Sequence, residues 1–315
     1  MICPICNSAD STKFIDNYKL HIEYDKEYFK NLKIYSCSSC DFSFCHPMPD
    51  RKLIDNFYSN IYRSTGRPHQ IFDFSLNELL YSGRNKNYIQ YLTTFLDINE
   101  LETVFDFGSG TGDLGFLLSK LNTKINLYCE ESDNFSKKIL TNRGYTNLVN
   151  SKEKISTDLI ISLHTLEHLN DITVFEKFKD IAKPESYIFL EVPNCEFDGK
   201  FIDRPYDSPH LLFFTKKSFK RIAQKYGFEI IDIALNGMSI NDLFFEMSES
   251  KKRFYEWRPN QFSLKLYLKE LIRFFTPDFI MKIYKSYNAK ESNLNDYRLN
   301  VNDAWCVRAI FKVHK

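Results

Sequence analysis

The sequence predicts an α/β fold, with a mostly parallel sheet covered by helices on both faces and a small cysteine-rich module ahead of it. Three observations carry that prediction. Strand-like apolar runs alternate with helix-like segments from about residue 103 to 235, the pattern of a doubly wound sheet. The stretch VFDFGSGTGDLG at 104–115 runs an apolar strand into four glycines within eight positions, although the chain has only ten glycines in 315 residues. Two C-x-x-C pairs, Cys3 with Cys6 and Cys37 with Cys40, stand thirty residues apart near the start.

Composition sets the bounds. A hydrophobic fraction of 43% supplies a full core, and 26% charged residues suit an ordinary surface. Lys plus Arg number 42 against 41 for Asp plus Glu, which excludes a broad nucleic-acid footprint. The opening MICPICNSAD lacks the basic and apolar regions of a secretory leader, and no run of eighteen uncharged apolar residues spans a membrane. A cytoplasmic location is expected, where spaced cysteine pairs read as metal ligands before disulfides.

Each C-x-x-C knuckle aims two thiolates at one point, and two knuckles complete a tetrahedral site. Cys3, Cys6, Cys37 and Cys40 are therefore the expected ligands of a structural zinc ion in a ribbon over residues 1–49. Cys45 and His46 read as packing residues. Asp50 is placed to cap a helix bearing Leu53, Ile54, Phe57 and Tyr58 on one face. A polar stretch at 61–74 reads as a linker or lid, and Ser75 opens one long helix to about Leu96, with Arg84 in reach of a carboxylate in the cleft. Residues 50–98 thus form a helical linker and lid.

Strands follow near 103–107, 125–129, 158–162, 186–192, 228–235 and 305–313, with helices near 112–121, 132–143, 171–183 and 215–227. Residues 236–302 form an insertion before the last strand. Within it Leu264, Leu268, Leu271, Ile272 and Phe275 make an amphipathic helix that Pro277 ends. It is suited to cap the substrate, to form a homodimer contact, or to touch a membrane surface through 260–285.

Gly110, Gly112 and Gly115 satisfy G-x-G-x-x-G, which keeps an NAD-dependent oxidoreductase as an alternative. Two acids point elsewhere. Asp106, inside the strand before the turn, suits a ligand with a free amino group better than an anionic pyrophosphate. Glu130, at the end of the next strand, is placed to accept ribose hydroxyls.

VFDFGSGTG, YCEES and DLIISLHTLEH, in that order, resemble the motifs of the class I S-adenosylmethionine-dependent methyltransferases over about residues 80–235. The resemblance implies a Rossmann-like sheet of seven strands whose last is antiparallel. It implies that Gly108, Ser109, Gly110 and Gly112 pack on the methionine part of S-adenosylmethionine, with Asp106 before them. Glu130 would hold the ribose, Asn150 and Ser151 would meet the adenine, and Leu163 and His164 would face the cofactor. The cysteine pairs with PMP and YSNIY, then EVPN and PHLLFFTKKSF, are similar to a subgroup with an amino-terminal zinc-binding segment. Many members methylate sugars or natural-product scaffolds, so a sugar, nucleotide-sugar or glycan-precursor hydroxyl is the expected acceptor.

Methyl transfer to a hydroxyl requires alignment and removal of a proton, and histidine is the natural base. His210 is the first candidate, His164 the second and His168 the third. In sugar-modifying relatives the position before this histidine is often Glu; here it is Pro209, so His210 would act without that partner. Glu167 and His168 are expected to fix their turn or support the acceptor, and a divalent metal there is a further option. A passive scaffold or an RNA-directed methyltransferase using the ribbon for recognition would need a basic ribbon face, and acids and bases over residues 1–50 are near balance.

Overall fold

Alternating burial along the strands shows how the sheet forms and what it separates. In the computed structural model, which describes residues 1–18, 20, 25–62, 73–149, 151, 153–195, 209–239 and 304–314, two sheets are present. The smaller begins with β1 (Thr12–Asn17), β2 (Lys33–Cys37) and β3 (Phe42–His46), all antiparallel, with the short helix α1 (Asp25–Phe29) between β1 and β2. Next comes α2 (Arg51–Asn56), capped by the Asp50 carboxylate accepting from Lys52 N–H, then a π-helical turn at Phe57–Ile61. This cap is where the sequence placed it.

The single helix expected from Ser75 to Leu96 is instead two, α3 (Leu76–Tyr81) and α4 (Gly83–Thr93). Ser82 is the reason. Its extended backbone and its hydroxyl, which accepts from Asn85 N–H, start a new helix instead of continuing the old one.

The larger sheet takes β4 (Thr103–Phe107), β5 (Asn126–Glu130), β6 (Tyr145–Asn147), β7 (Thr157–Leu163), β8 (Ala182–Pro193), β10 (Phe228–Ser239) and β11 (Ala304–Val313). Their order is β10-β11-β8-β7-β4-β5-β6. The strands from β8 to β6 are parallel neighbours, while β11 lies antiparallel between β8 and β10. The fold is thus the expected seven-stranded Rossmann-like sheet with its last strand reversed. Helices α5 (Asp113–Leu121), α6 (Asn134–Asn142), α7 (Val174–Ile181) and α8 (Lys216–Tyr226) connect the strands. Thr215 and Ser218 close a capping box on α8, and left-handed Gly227 ends it.

The strands sort their residues by parity. Val104, Leu159, Ile161, Phe189 and Ile310 face α4 and α5 in one core cluster; Phe105, Ile160, Ile188, Leu190 and Phe311 face α7 and α8 in the other. The second cluster includes Cys3, Ile5, Phe42 and Phe44, so the ribbon shares a core with the sheet. Its fourth strand is β9 (Leu212–Phe213), which pairs antiparallel with β3 from far along the chain, Phe213 opposite Ser43 and Leu212 opposite Phe44.

Two strands went unread in the sequence, β6 and β9, with three and two residues respectively. Neither is long enough to show an alternation of its own. The 236–302 insertion, its helix at 264–275 and the 260–285 surface lie outside the described residues, apart from 236–239 at the end of β10. No helix among the described residues is long and apolar enough to cross a membrane.

Candidate active site

Three parallel strands end side by side at Phe107, Glu130 and Leu163, and ligands of open α/β sheets bind outside such carboxyl ends. A cavity of about 420 Å³ opens there, floored by Gly108, Gly110 and Glu130 and walled by Tyr58, Tyr62 and His168.

The glycine loop forms one end. Gly108 has φ +67°, and a Cβ on it would lie 2.1 Å from Thr165 Cγ2, so both conformation and space require glycine. Gly110, at φ +54°, has no atom within 4 Å of its would-be Cβ; it borders the cavity. Ser109 sits between them, its carbonyl accepting from Gly112 N–H at 2.8 Å. Gly115 behaves differently from the dinucleotide pattern: it faces Tyr145, whose hydroxyl would lie 2.1 Å from a Cβ there. Its glycine serves helix–strand packing, not a phosphate.

Acids surround this loop. Asp106 lies beneath it, buried, with Tyr145 Oη donating to its carboxylate at 3.4 Å. Burial first, and the Glu131 charge second, push its pKa up to about 8. Glu130 borders the cavity and pairs with Lys177, whose ammonium also stands over the Phe105 and Phe107 rings. Glu131 is a residue that sequence reasoning passed over. Its carboxylate accepts from Gly110 N–H at 2.6 Å and from Asp133 N–H at 2.8 Å, tying the loop to the end of β5. The second acid of YCEES was the available signal. Ser151 is exposed in a turn, its hydroxyl accepting from Glu153 N–H; Asn150 lies outside the described residues.

The other end is built from three distant segments. His164 follows Leu163 with φ +52°. Its Nε2 is 3.2 Å from Glu191 Oε1 and its Nδ1 is 3.7 Å from Glu167 Oε1. Burial and Arg84 push the imidazole toward neutrality, but the two carboxylates outweigh them and its pKa is raised. An imidazole whose two nitrogens both face carboxylates has no nitrogen turned toward an acceptor. Glu191 itself is buried with Arg308, at 2.6 and 2.9 Å, and accepts from Tyr88 Oη at 2.5 Å. Arg84 reaches the same carboxylate at 3.6 Å, as its place in the sequence suggested. Burial alone would raise the pKa of Glu191; Arg308 and His164 hold it well below the usual carboxylate range.

His168 ends a 3-10 turn, Leu166–His168, and borders the cavity. Its Nδ1 is 2.8 Å from Tyr58 Oη, and its ring centroid is 4.8 Å from that of His210. The structure therefore brings two of the three candidate histidines together and links the third to them through the shared Glu167 carboxylate. Tyr58 and Tyr62, from the π-helical turn, pack on His168 at 5.3 and 6.3 Å. Glu167, His168 and His210 each offer one ligand atom within 4.8 Å of the others, and Glu167 Oε2 is buried without a hydrogen-bond partner.

In the ribbon, Cys3 Sγ is 3.6 Å from Cys40 Sγ and Cys6 Sγ is 3.5 Å from Cys37 Sγ. Sulfurs around one zinc at about 2.3 Å stand about 3.8 Å apart, so this donor set fits a tetrahedral ion. The Cys40 thiol holds Cys3 down to about 5, toward the thiolate such a site uses. All eight cysteines are free of disulfides.

Residues 81–233 match the family model described as "Methyltransferase domain". No curated protein matches the chain. Among solved structures, a putative sarcosine dimethylglycine methyltransferase from Galdieria sulphuraria is similar at 15% identity, covering 73% of this chain and 85% of that one, with TM-score 0.47. A SAM-dependent methyltransferase from Archaeoglobus fulgidus is similar at 18% identity, 75% and 94% coverage and TM-score 0.45. Coclaurine N-methyltransferase bound to N-methylheliamine and SAH is similar at 11% identity, 73% and 72% coverage and TM-score 0.45. With all three scores below 0.5, the assignment stands on the family match and the site.

Proposed function

We propose that the chain, whose residues 81–233 match the family model described as "Methyltransferase domain", is a class I S-adenosylmethionine-dependent enzyme that methylates a hydroxyl of a sugar, nucleotide-sugar or surface-glycan precursor. One observation carries this reading: the His168 imidazole borders the cavity that the glycine loop also lines, and the His210 ring meets it edge to face, centroids 4.8 Å apart. An acceptor that needs a base is one whose proton must leave, as a hydroxyl does.

S-adenosylmethionine supplies an electrophilic methyl on a sulfonium. Gly108, Ser109, Gly110 and Gly112 would line its methionine part, Glu130 would accept the ribose hydroxyls, and Ser151 would meet the adenine. The acceptor oxygen forms a bond to the methyl carbon as the carbon–sulfur bond breaks, and the electron pair stays on sulfur. The hydroxyl proton passes to the histidine pair. His210 is the base the sequence indicates, and His168, at the cavity wall with Tyr58 on its Nδ1, aligns the acceptor beside it. Tyr58 and Tyr62 offer aromatic faces to the C–H side of a sugar ring, and Arg51 at the rim suits a phosphate-linked one. The four cysteines hold a structural zinc ion. A cytoplasmic location accords with eight free thiols.

The test is calorimetric titration with S-adenosylhomocysteine, followed by label transfer from S-adenosylmethionine to a panel of nucleotide-linked sugars, free amines and RNA. Binding with sugar labelling is the expected result. Labelling confined to amines or RNA would overturn the acceptor assignment, and no binding would overturn the donor.

The Glu167, His168 and His210 cluster favours a second reading, in which a divalent cation at those three side chains lowers the acceptor's pKa. Turnover of desalted enzyme that depends on added magnesium or manganese selects it; indifference to both selects the histidine base.

A further inference from the structure

The ribbon is joined to the acceptor end of the cleft more closely than a separate module requires. Its sheet is completed by β9, with Ser43 opposite Phe213 and Phe44 opposite Leu212. The pairing continues one step, as Cys45 N–H donates to the Leu211 carbonyl at 2.9 Å. The neighbouring carbonyl, that of His210, accepts from the Tyr18 hydroxyl at 2.8 Å and from the Cys45 thiol at 3.9 Å. On the opposite side Leu211 N–H donates to the Glu167 carbonyl at 2.7 Å. The His210 main chain is thus clamped between the ribbon and the turn that bears His168.

The same grip reaches the second cysteine knuckle. Thr215 Oγ1 donates to the Asp41 carbonyl at 3.2 Å, Lys217 Nζ donates to the Ser38 carbonyl at 3.2 Å, and Asp41 N–H returns to the Cys37 carbonyl at 2.7 Å. The cofactor end is held from elsewhere: Gly108 N–H donates to the Glu130 carbonyl, Gly110 N–H donates to the Glu131 carboxylate, and the Lys177 ammonium pairs with Glu130.

We infer that Tyr18 and Cys45 are positioning residues for His210, and that the four-cysteine ribbon is the support behind that residue, governing turnover without governing cofactor affinity. The inference rests on the role proposed for the His168–His210 pair. Four thiolates on one ion hold the knuckle at Cys37–Cys40, and from that knuckle β3 carries Cys45 to the His210 carbonyl. Loss of one such bond lets the imidazole drift, and a misplacement of about 1 Å costs up to about a hundredfold in rate.

Tyr18→Phe removes only the hydroxyl that grips His210. It is expected to lower kcat about tenfold, to leave the Kd for S-adenosylhomocysteine within about twofold, and to move the His210 ring resonance in a carbon-edited NMR spectrum. Cys37→Ser, which removes a ligand, is expected to give the same split with a larger fall in kcat. Unchanged kcat and an unchanged His210 resonance in Tyr18→Phe would overturn the inference. So would an equal loss of kcat and cofactor affinity, which is the mark of general support for the fold. Should wild-type enzyme bind S-adenosylhomocysteine yet methylate no acceptor, the proposed function is what fails. The His210 resonance then decides the positioning role alone: a shift in Tyr18→Phe supports it, and no shift overturns it.

Discussion

The two ends of the cleft are built by different means. The cofactor end is one strand, one turn and one helix, β4 to α5, closed by the acids that follow β5. Its conformation is local: positive φ at Gly108 and Gly110, and a carboxylate one residue past a strand reaching back to the turn. The acceptor end draws on residues near 18, 45, 58, 168 and 210, which meet only because two sheets share β9 and one core cluster. Local construction puts the cofactor end at risk from single backbone changes. Assembly from distant parts puts the acceptor end at risk from residues that touch neither substrate.

The sharpest test of that contrast lies under the acceptor end. Arg308 and Glu191 are both fully buried and 117 positions apart in the chain. Arg308→Met removes the nearest cation from the buried Glu191 carboxylate, leaving only His164 and the more distant Arg84 to offset its charge, and is expected to cost about 3 kcal/mol in urea unfolding. A cost below about 1 kcal/mol would break the comparison. The network also has a pH signature. His164 has a raised folded pKa, so its contribution is complete below its ordinary value of 6.5 and is lost as pH rises through the folded one. Glu191 has a lowered folded pKa, so its contribution is present above 4.5 and is lost as pH falls through the folded one. The stability difference between wild type and His164→Gln should therefore be larger at pH 5.5 than at pH 9.

Gly108→Ala is next in size. The left-handed backbone costs about 1–2 kcal/mol, and the new Cβ, 2.1 Å from Thr165, adds a clash that the turn cannot relieve. Binding of S-adenosylhomocysteine should fall well beyond tenfold. Gly110→Ala carries the backbone term alone, since nothing lies within 4 Å of its Cβ, and should unfold at higher urea than Gly108→Ala. Equal loss in the two would mean that the loop is read by conformation only.

The smallest expected effect is at Glu130. Its pair with Lys177 is partly exposed and screened by solvent, so Glu130→Gln should leave thermal stability near wild type. Affinity for S-adenosylhomocysteine should drop about tenfold through the lost charge-assisted bonds to the ribose. Calorimetry beside a melting curve separates the two readouts, and a drop in stability equal to the drop in affinity would count against the ribose assignment.

Much of this was legible in the sequence because it depends on neighbours along the chain. The alternation of strands and helices, the glycine turn, Asp50 as a cap and the cysteine pairs are all spacings within a few residues, and each maps onto an observed element. Glu131, Lys177 and Tyr18 were not legible. A carboxylate, an ammonium and a phenol have no periodicity of their own, and their partners are chosen by which strand ends lie side by side. The break at Ser82 was not legible either, because its preference for a cap shows only when the two flanking helices diverge.

The sequence by itself determined the sheet, the glycine loop, the methyltransferase domain and the four-cysteine set, since each follows from local conformational preference or from parity of burial. Only the tertiary structure decided which histidines meet. His164 is drawn into an ion-pair network by Glu167 and Glu191, and His168 meets the His210 ring edge to face, because the turn after β7 lies between Glu191 on β8 and the segment that leads into β9. The physical reason is that a hydrogen bond or ring contact depends on distance in space, and distance in space between remote segments is set by how the sheets are joined.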